Sequence, residues 1–168
     1  MAKKLQQQLG GRQTRADTLH LTLVFIGDVP RKVIPDLIDA LAEVALSSFE
    51  IDFDHADYWA HNRIACLTTT TPPTGLLTLV RTLEHCLDHL AIPFDRRTYK
   101  PHITLVRHAV NKPNPDEDLS AGNGEPVHWS ATEFLLVESQ PDWTGARYHD
   151  LARFPLGPAS ASQVQMPL

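Results

Sequence analysis

An α+β fold is predicted for this 168-residue chain. It has two pseudo-symmetric lobes of antiparallel sheet, with outer helices, around a central cleft. Three observations point there. A four-residue pattern, His20-Leu21-Thr22-Leu23, returns as His102-Ile103-Thr104-Leu105, 82 positions later (102 − 20). Each copy sits in an apolar run with the two-residue period of a strand. Each half of the chain also carries an amphipathic stripe at helical spacing, and a Pro-rich break lies near the middle.

In chain order, residues 3–9 (KKLQQQL) read as the last turns of a helix closed by Gly10-Gly11. Residues 18–26 alternate as the strand of the first motif, and Asp28-Val29-Pro30 turns the chain. Val33, Leu37, Ile38, Leu41, Val44 and Ala45 predict a helix over 30–46. Residues 49–58 (FEIDFDHADY) read as one half-buried strand, in a hairpin with a second over 62–69 (NRIACLTT). Thr71-Pro72-Pro73-Thr74-Gly75 is the break, and the stripe Leu76, Leu77, Val80, Leu83, Leu87 and Leu90 predicts a helix over 74–90. Residues 101–107 form the second motif strand, 111–126 a polar surface loop, and 127–138 with 147–154 a closing pair of strands. The expected organisation is one bilobal domain over 1–157 and a flexible tail over 158–168.

Composition narrows the function classes. Hydrophobic residues make up 42% of the chain, enough for a packed core rather than overall disorder. A net charge of −5 argues against non-specific binding to duplex DNA, which needs a broad basic surface. A small basic cleft for one terminal phosphate remains compatible with it. Cys66 and Cys86, the two cysteines, belong to no CxxC pair and read as reduced thiols of a cytoplasmic protein. No apolar run approaches the ~18 residues of a membrane span, so no membrane partner is expected.

Two imidazoles and two hydroxyls on neighbouring strands suit phosphate-ester chemistry. An imidazole titrates near pH 6.5, so one ring can be neutral and its partner protonated at pH 7. That pair supplies a base and an acid, while Thr22 and Thr104 donate to phosphoryl oxygens. The residues alone do not distinguish acid from base. Arg107 lies three positions beyond Thr104, on the opposite face if the strand stays regular. A twist at the strand end would return it to the phosphate. Arg96, Arg97 and Lys100 would line a nucleic-acid path or form a solvated cluster; Tyr99 would stack on a base, and Phe25 is assigned to core packing. His85 and His89 share a helix face, but no third ligand is evident, so neither a metal nor a cofactor is expected. Asp52, Asp54 and Asp57 read as a solvated strand face.

The strings DTLHLTLVFIGDV (17–29), YKPHITLVR (99–107) and RYHDLARFPLG (147–157) resemble the 2H phosphoesterase superfamily. Within it the chain is similar to the RNA 2′,3′-cyclic phosphodiesterases of LigT/ThpR type, over roughly residues 10–157. The resemblance implies metal-independent hydrolysis of a 2′,3′-cyclic phosphate, on an RNA 3′ end or a nucleotide, to a 2′-phosphate. His20 would be the proton donor and His102 the proton acceptor. Thr22, Thr104 and Arg107 would bind the phosphate, and a reversible, ATP-independent 2′–5′ RNA ligation would accompany the hydrolysis. The family usually opens with a strand and a full helix before the first motif, whereas 19 residues precede His20 here. The expectation is therefore a fold without that strand, monomeric, with a sheet edge open to association. Alternative readings are a phosphodiesterase for 2′–5′ oligonucleotides or small cyclic nucleotides, a non-catalytic RNA-end-binding module, and a zinc enzyme using the histidines as ligands.

Overall fold

The sheet that holds both motif copies is built from three separated stretches of chain. A computed structural model describes residues 1–114, 119, 125–142 and 145–158. The chain divides into two units, one of Met1–Leu23, Asp52–Pro72 and Thr98–Trp129, the other of Val24–Ile51, Pro73–Arg97 and Ser130–Leu168. The expectation that each half of the chain builds its own lobe is therefore corrected. Each unit draws on both halves, and both motif copies fall in the first unit.

In that unit, helix α1 (Ala2–Leu9) buries Leu5 and Leu9, four residues apart on one face. It ends at Gly10, whose positive φ of 68° and N–H bond to the Gln6 carbonyl (2.9 Å) stop the helix. Strand β1 (Arg12–Gln13) follows at once. Gly11 sits between them at φ +81°, where a Cβ would lie 2.6 Å from the Arg107 carbonyl oxygen. Only glycine satisfies both the backbone angle and that approach. Strands β3 (His55–Trp59), β4 (Ile64–Thr68) and β5 (His102–Arg107) complete an antiparallel sheet in the order β1-β5-β4-β3. α1 packs on β1 and β5, and its carboxyl end is tied by the Val110 and Asn111 N–H groups, both 2.9 Å from the Leu9 carbonyl.

In the second unit, a 3₁₀ turn (Arg31–Val33) leads into helix α2 (Ile34–Ala42), which packs on α3 (Thr74–His89) and on β8 (Gly145–Pro155). Leu37, Leu41, Leu76, Leu79, Val80, Leu83 and Leu87 are the buried faces of the two helices. β7 (Glu133–Asp142) and β8 form a hairpin. β2 (Phe49–Phe53) pairs with β6 (Val127–Ala131), and each strand contributes residues to both units.

Several expected elements are revised. Residues 18–26 are not a strand: a 3₁₀ turn (Ala16–Thr18) is followed by one isolated antiparallel bridge, Leu21↔Ile103. Apolar alternation becomes a strand only where a neighbour supplies hydrogen bonds. Here the edge of β5 is occupied first by Arg12–Gln13, and by Thr14, whose N–H reaches the Leu105 carbonyl at 2.8 Å. The helix expected over 30–46 is the shorter α2, because Pro35 can enter only at the first turn. The strand expected over 49–58 breaks at Asp54, whose carboxylate accepts the Thr70 N–H (2.9 Å) and the Thr70 hydroxyl. The strand expected over 127–138 is split at Thr132, whose carbonyl accepts the Leu156 N–H (2.8 Å). Most of the 111–126 loop and all but Pro158 of the 158–168 tail lie outside the described residues.

Candidate active site

The bridge Leu21↔Ile103 fixes the geometry of the two motifs. Antiparallel register about that bridge sets His20 across from Thr104 and Thr22 across from His102. Since neighbours of a bridged pair point to the opposite face, all four side chains share one face. The register about the bridge thus sets the histidine of each copy beside the threonine of the other. Directly opposed residues in such a pair have Cβ atoms about 4.5–5.5 Å apart, close enough to hold one small anion.

Both histidines are anchored in the same way. The Nδ1–H of His20 donates to the Thr18 carbonyl and that of His102 to the Lys100 carbonyl, each at 2.8 Å. A carbonyl oxygen only accepts, so Nδ1 carries hydrogen in both rings. The proton exchanged in chemistry is then the one on Nε2, and each ring is held in the tautomer that a base or an acid at Nε2 requires.

Arg107 reaches the same face by way of a β-bulge. Cys66 pairs with Thr104 and Ala65 with Val106, so Leu105 is an extra residue in β5. A one-residue slip reverses the faces beyond it. Val106 then shares the fully buried face with Ala65, and Arg107 is returned to the face of His102 and Thr104. The positive charge of Arg107 is felt at His102.

The surroundings of His102 act on its proton affinity. Burial holds the proton affinity of His102 below that of an ordinary imidazole; the charges of His20 and Arg107 act in the same direction, and the Lys100 carbonyl opposes them. Part of that burial comes from Trp59, whose indole centroid is 4.4 Å from the His102 ring. Thr104 is buried, with 9% exposure, and its β4 neighbour Cys66 is fully buried. Thr68 stands across from His102.

Other candidates fall elsewhere. Arg96 and Arg97 lie in the second unit, ion-paired with Asp88 and Asp95. Phe25 is 64% exposed, not a core residue, because the segment around it joins no strand that would cover it. The Tyr99 ring is largely buried, and burial pushes its hydroxyl pKa up. The acidic run is not merely solvated: Asp52 pairs with His128, Asp54 holds Thr70, and Asp57 accepts from the Tyr58 N–H (2.7 Å) and the Trp59 Nε1–H (2.8 Å). Partners distant in sequence hold Asp52 and Asp54, and Asp57 is fixed by its own strand neighbours. Among the described residues no three His, Cys, Asp or Glu side chains are grouped to hold a metal ion, and no helix is long and apolar enough to cross a membrane. Trp59 and Asp57 were missed as site residues. The β3–β4–β5 register, which sets Asp57 across from Cys66 and Cys66 across from Thr104, is what brings them to that face.

Residues 1–66 match the family model described as LigT like Phosphoesterase. A curated relative from Escherichia coli (strain K12), an RNA 2′,3′-cyclic phosphodiesterase, is 32% identical over 149 residues, covering 87% of this chain and 80% of its own. The crystal structure of E. coli LigT in apo form superposes with a TM-score of 0.77 at 29% identity, over 93% of this chain and 86% of that one. Its complex with 3′-AMP gives 0.78 at 27% identity, over 92% and 88%. Identity of this depth along four-fifths of a curated relative means that the chain belongs to the LigT-like phosphoesterase family.

Proposed function

We propose that this protein hydrolyses a 2′,3′-cyclic phosphate, at an RNA end or on a nucleotide, to a 2′-phosphate. The observation that carries the reading is the antiparallel register about Leu21↔Ile103, which gathers two histidines and two threonines on one face. The relatives named RNA 2′,3′-cyclic phosphodiesterase support the choice of substrate.

Water attacks phosphorus in line with the bond to the ribose 3′ oxygen. His102 takes the proton of the attacking water on Nε2, and His20 delivers its Nε2 proton to the departing oxygen. Burial keeps His102 neutral at a pH where an ordinary imidazole is partly charged, which suits it to the base role. Each transfer contributes on the order of 10²–10⁴-fold. Thr22, Thr104 and Arg107 meet the charge on the non-bridging oxygens. With a 5′-hydroxyl in place of water, the same steps open the cyclic phosphate by expelling the 3′ oxygen and leave a 2′–5′ phosphodiester, without ATP.

The test is hydrolysis of a short RNA with a 2′,3′-cyclic terminus in EDTA, with products separated as 2′- or 3′-phosphate. The expected product is the 2′-phosphate at an undiminished rate. A 3′-phosphate would reverse the identity of the leaving oxygen. Tight binding without turnover would make the protein an RNA-end-binding module, and loss in EDTA with recovery on zinc would make the histidines metal ligands.

A further inference from the structure

The indole of Trp59 neighbours two imidazoles, 4.4 Å from the His102 ring at 52° and 6.2 Å from the His61 ring at 20°. Its Nε1–H is held by Asp57 Oδ2 at 2.8 Å, and Asp57 Oδ1 is itself fixed by the Tyr58 N–H at 2.7 Å. Both oxygens of one carboxylate are thereby engaged in orienting one ring. Such an arrangement restricts the indole to a single rotamer, and the indole in turn closes one side of His102. The other restraint on that imidazole is the Nδ1–H bond to the Lys100 carbonyl. One hydrogen bond leaves a ring free to rock about its axis, whereas a hydrogen bond plus a packed face fixes where Nε2 points.

We propose that Trp59, clamped by Asp57, is the positioning residue that aims Nε2 of His102 at the attacking water. The proposal rests on the cyclic-phosphodiesterase reading of the site. Misplacement of a catalytic group by about 1 Å can cost up to 10²-fold in rate without weakening substrate binding. The effect of Trp59 therefore belongs in kcat rather than in KM. Asp57 acts through Trp59 and touches neither ring of the catalytic pair in this role.

Two measurements test it, one of them free of substrate. Protonated imidazole in contact with indole quenches its fluorescence. In a W129F/W143F protein, Trp59 is the sole tryptophan. Its emission is expected to fall as His102 takes up a proton, and H102Q is expected to remove that step. His61 is a second titratable ring beside the indole, so the step must survive in H61Q. Asp57 beside the indole, and His20 and Arg107 acting on His102, are the other ionisable groups that bear on the step. Emission that does not respond to His102 overturns the contact. In the second arm, with 2′,3′-cyclic AMP as substrate, Trp59→Ala is expected to lower kcat about 10-fold or more with KM within about twofold. Asp57→Ala is expected to give a smaller loss of the same kind, and Trp59→Phe, which keeps an aromatic face, to recover most of the rate. Should Trp59→Ala fail to fold, Asp57→Ala decides the matter. Unchanged kcat in Trp59→Ala, unchanged kcat in Asp57→Ala where Trp59→Ala does not fold, or a loss confined to KM, overturns the positioning role. If the parent protein turns over no cyclic phosphate, the reading of the function fails, and a positioning role in that reaction is overturned with it. The fluorescence step would then show whether the Trp59–His102 contact exists without a catalytic purpose.

Discussion

The two copies of the HxT pattern are nearly identical in sequence and differ sharply in local structure. The second lies on β5, paired along its length with β4 on one side and touched by β1 and Leu21 on the other. The first makes a single bridge and otherwise follows an irregular path. Yet each histidine is fastened by the same Nδ1–H bond to the carbonyl two residues upstream. The difference teaches that the motif needs only a carbonyl two residues before the histidine and one bridge to fix parity. A continuous ladder is a support supplied to one copy alone. On the supported copy, His102 packs against Trp59, and burial lowers its proton affinity.

The largest break in this comparison comes from removing the imidazoles. His102→Ala and His20→Ala should each lower kcat by about 10²–10⁴-fold. Their pH profiles should differ. The base must be neutral to work, and lowering its pKa keeps it neutral to lower pH. The acid limb of kcat/KM in the parent therefore belongs to His102 and should lie below the ordinary imidazole value of about 6.5. His102→Ala should abolish that limb, whereas the residual activity of His20→Ala should keep it. The opposite assignment would exchange the roles of the two copies.

Next come the hydroxyls. Thr104 is buried and Thr22 half-exposed, but the register about the bridge sets each beside the histidine of the other copy. Replacing either by Val should cost on the order of 10²-fold in kcat/KM, the scale of one lost oxyanion donor. A loss at Thr104 with none at Thr22 would mean that only the laddered copy holds phosphate.

A third change acts on support rather than on chemistry. In Gly11→Ala the new Cβ meets the Arg107 carbonyl at 2.6 Å with φ at +81°. A destabilisation of about 2 kcal/mol or more is expected, read as a lower urea midpoint with unchanged slope. An unshifted midpoint would show that the β1–β5 pairing is dispensable.

What could be read from sequence follows the same division. α1, α3, β4 and β5 were legible because each is specified by its own periodicity or flanking breakers. Residues 18–26 were misjudged because alternation states which face is apolar and says nothing of whether a neighbour is present to bond. Both histidines and both threonines were legible as a repeated pattern. The return of Arg107 to the site face was not, because it depends on an extra residue at Leu105 visible only against β4. Trp59 was hidden for a similar reason, since its partner His102 is 43 positions away (102 − 59) and carries no periodic signal toward it.

The smallest expected effect sharpens the comparison from the β4 side. Cys66 lies across from Thr104, fully buried, and its thiol is 3.7 Å from the Asp57 carbonyl, to which it donates. Burial, with the Asp57 charge adding to it, pushes the Cys66 pKa up to about 12. Only the thiolate reacts with alkylating or disulfide reagents, so at pH 8 this group should be inert in the folded protein. Cys86, half-exposed on α3, should label alone and leave activity unchanged. Labelling of Cys66 should appear only as denaturant opens the sheet, together with loss of turnover, because any adduct there would press on Thr104. Rapid labelling of both thiols in native protein would mean that the β4–β5 ladder opens readily, and that the second copy is no better supported than the first.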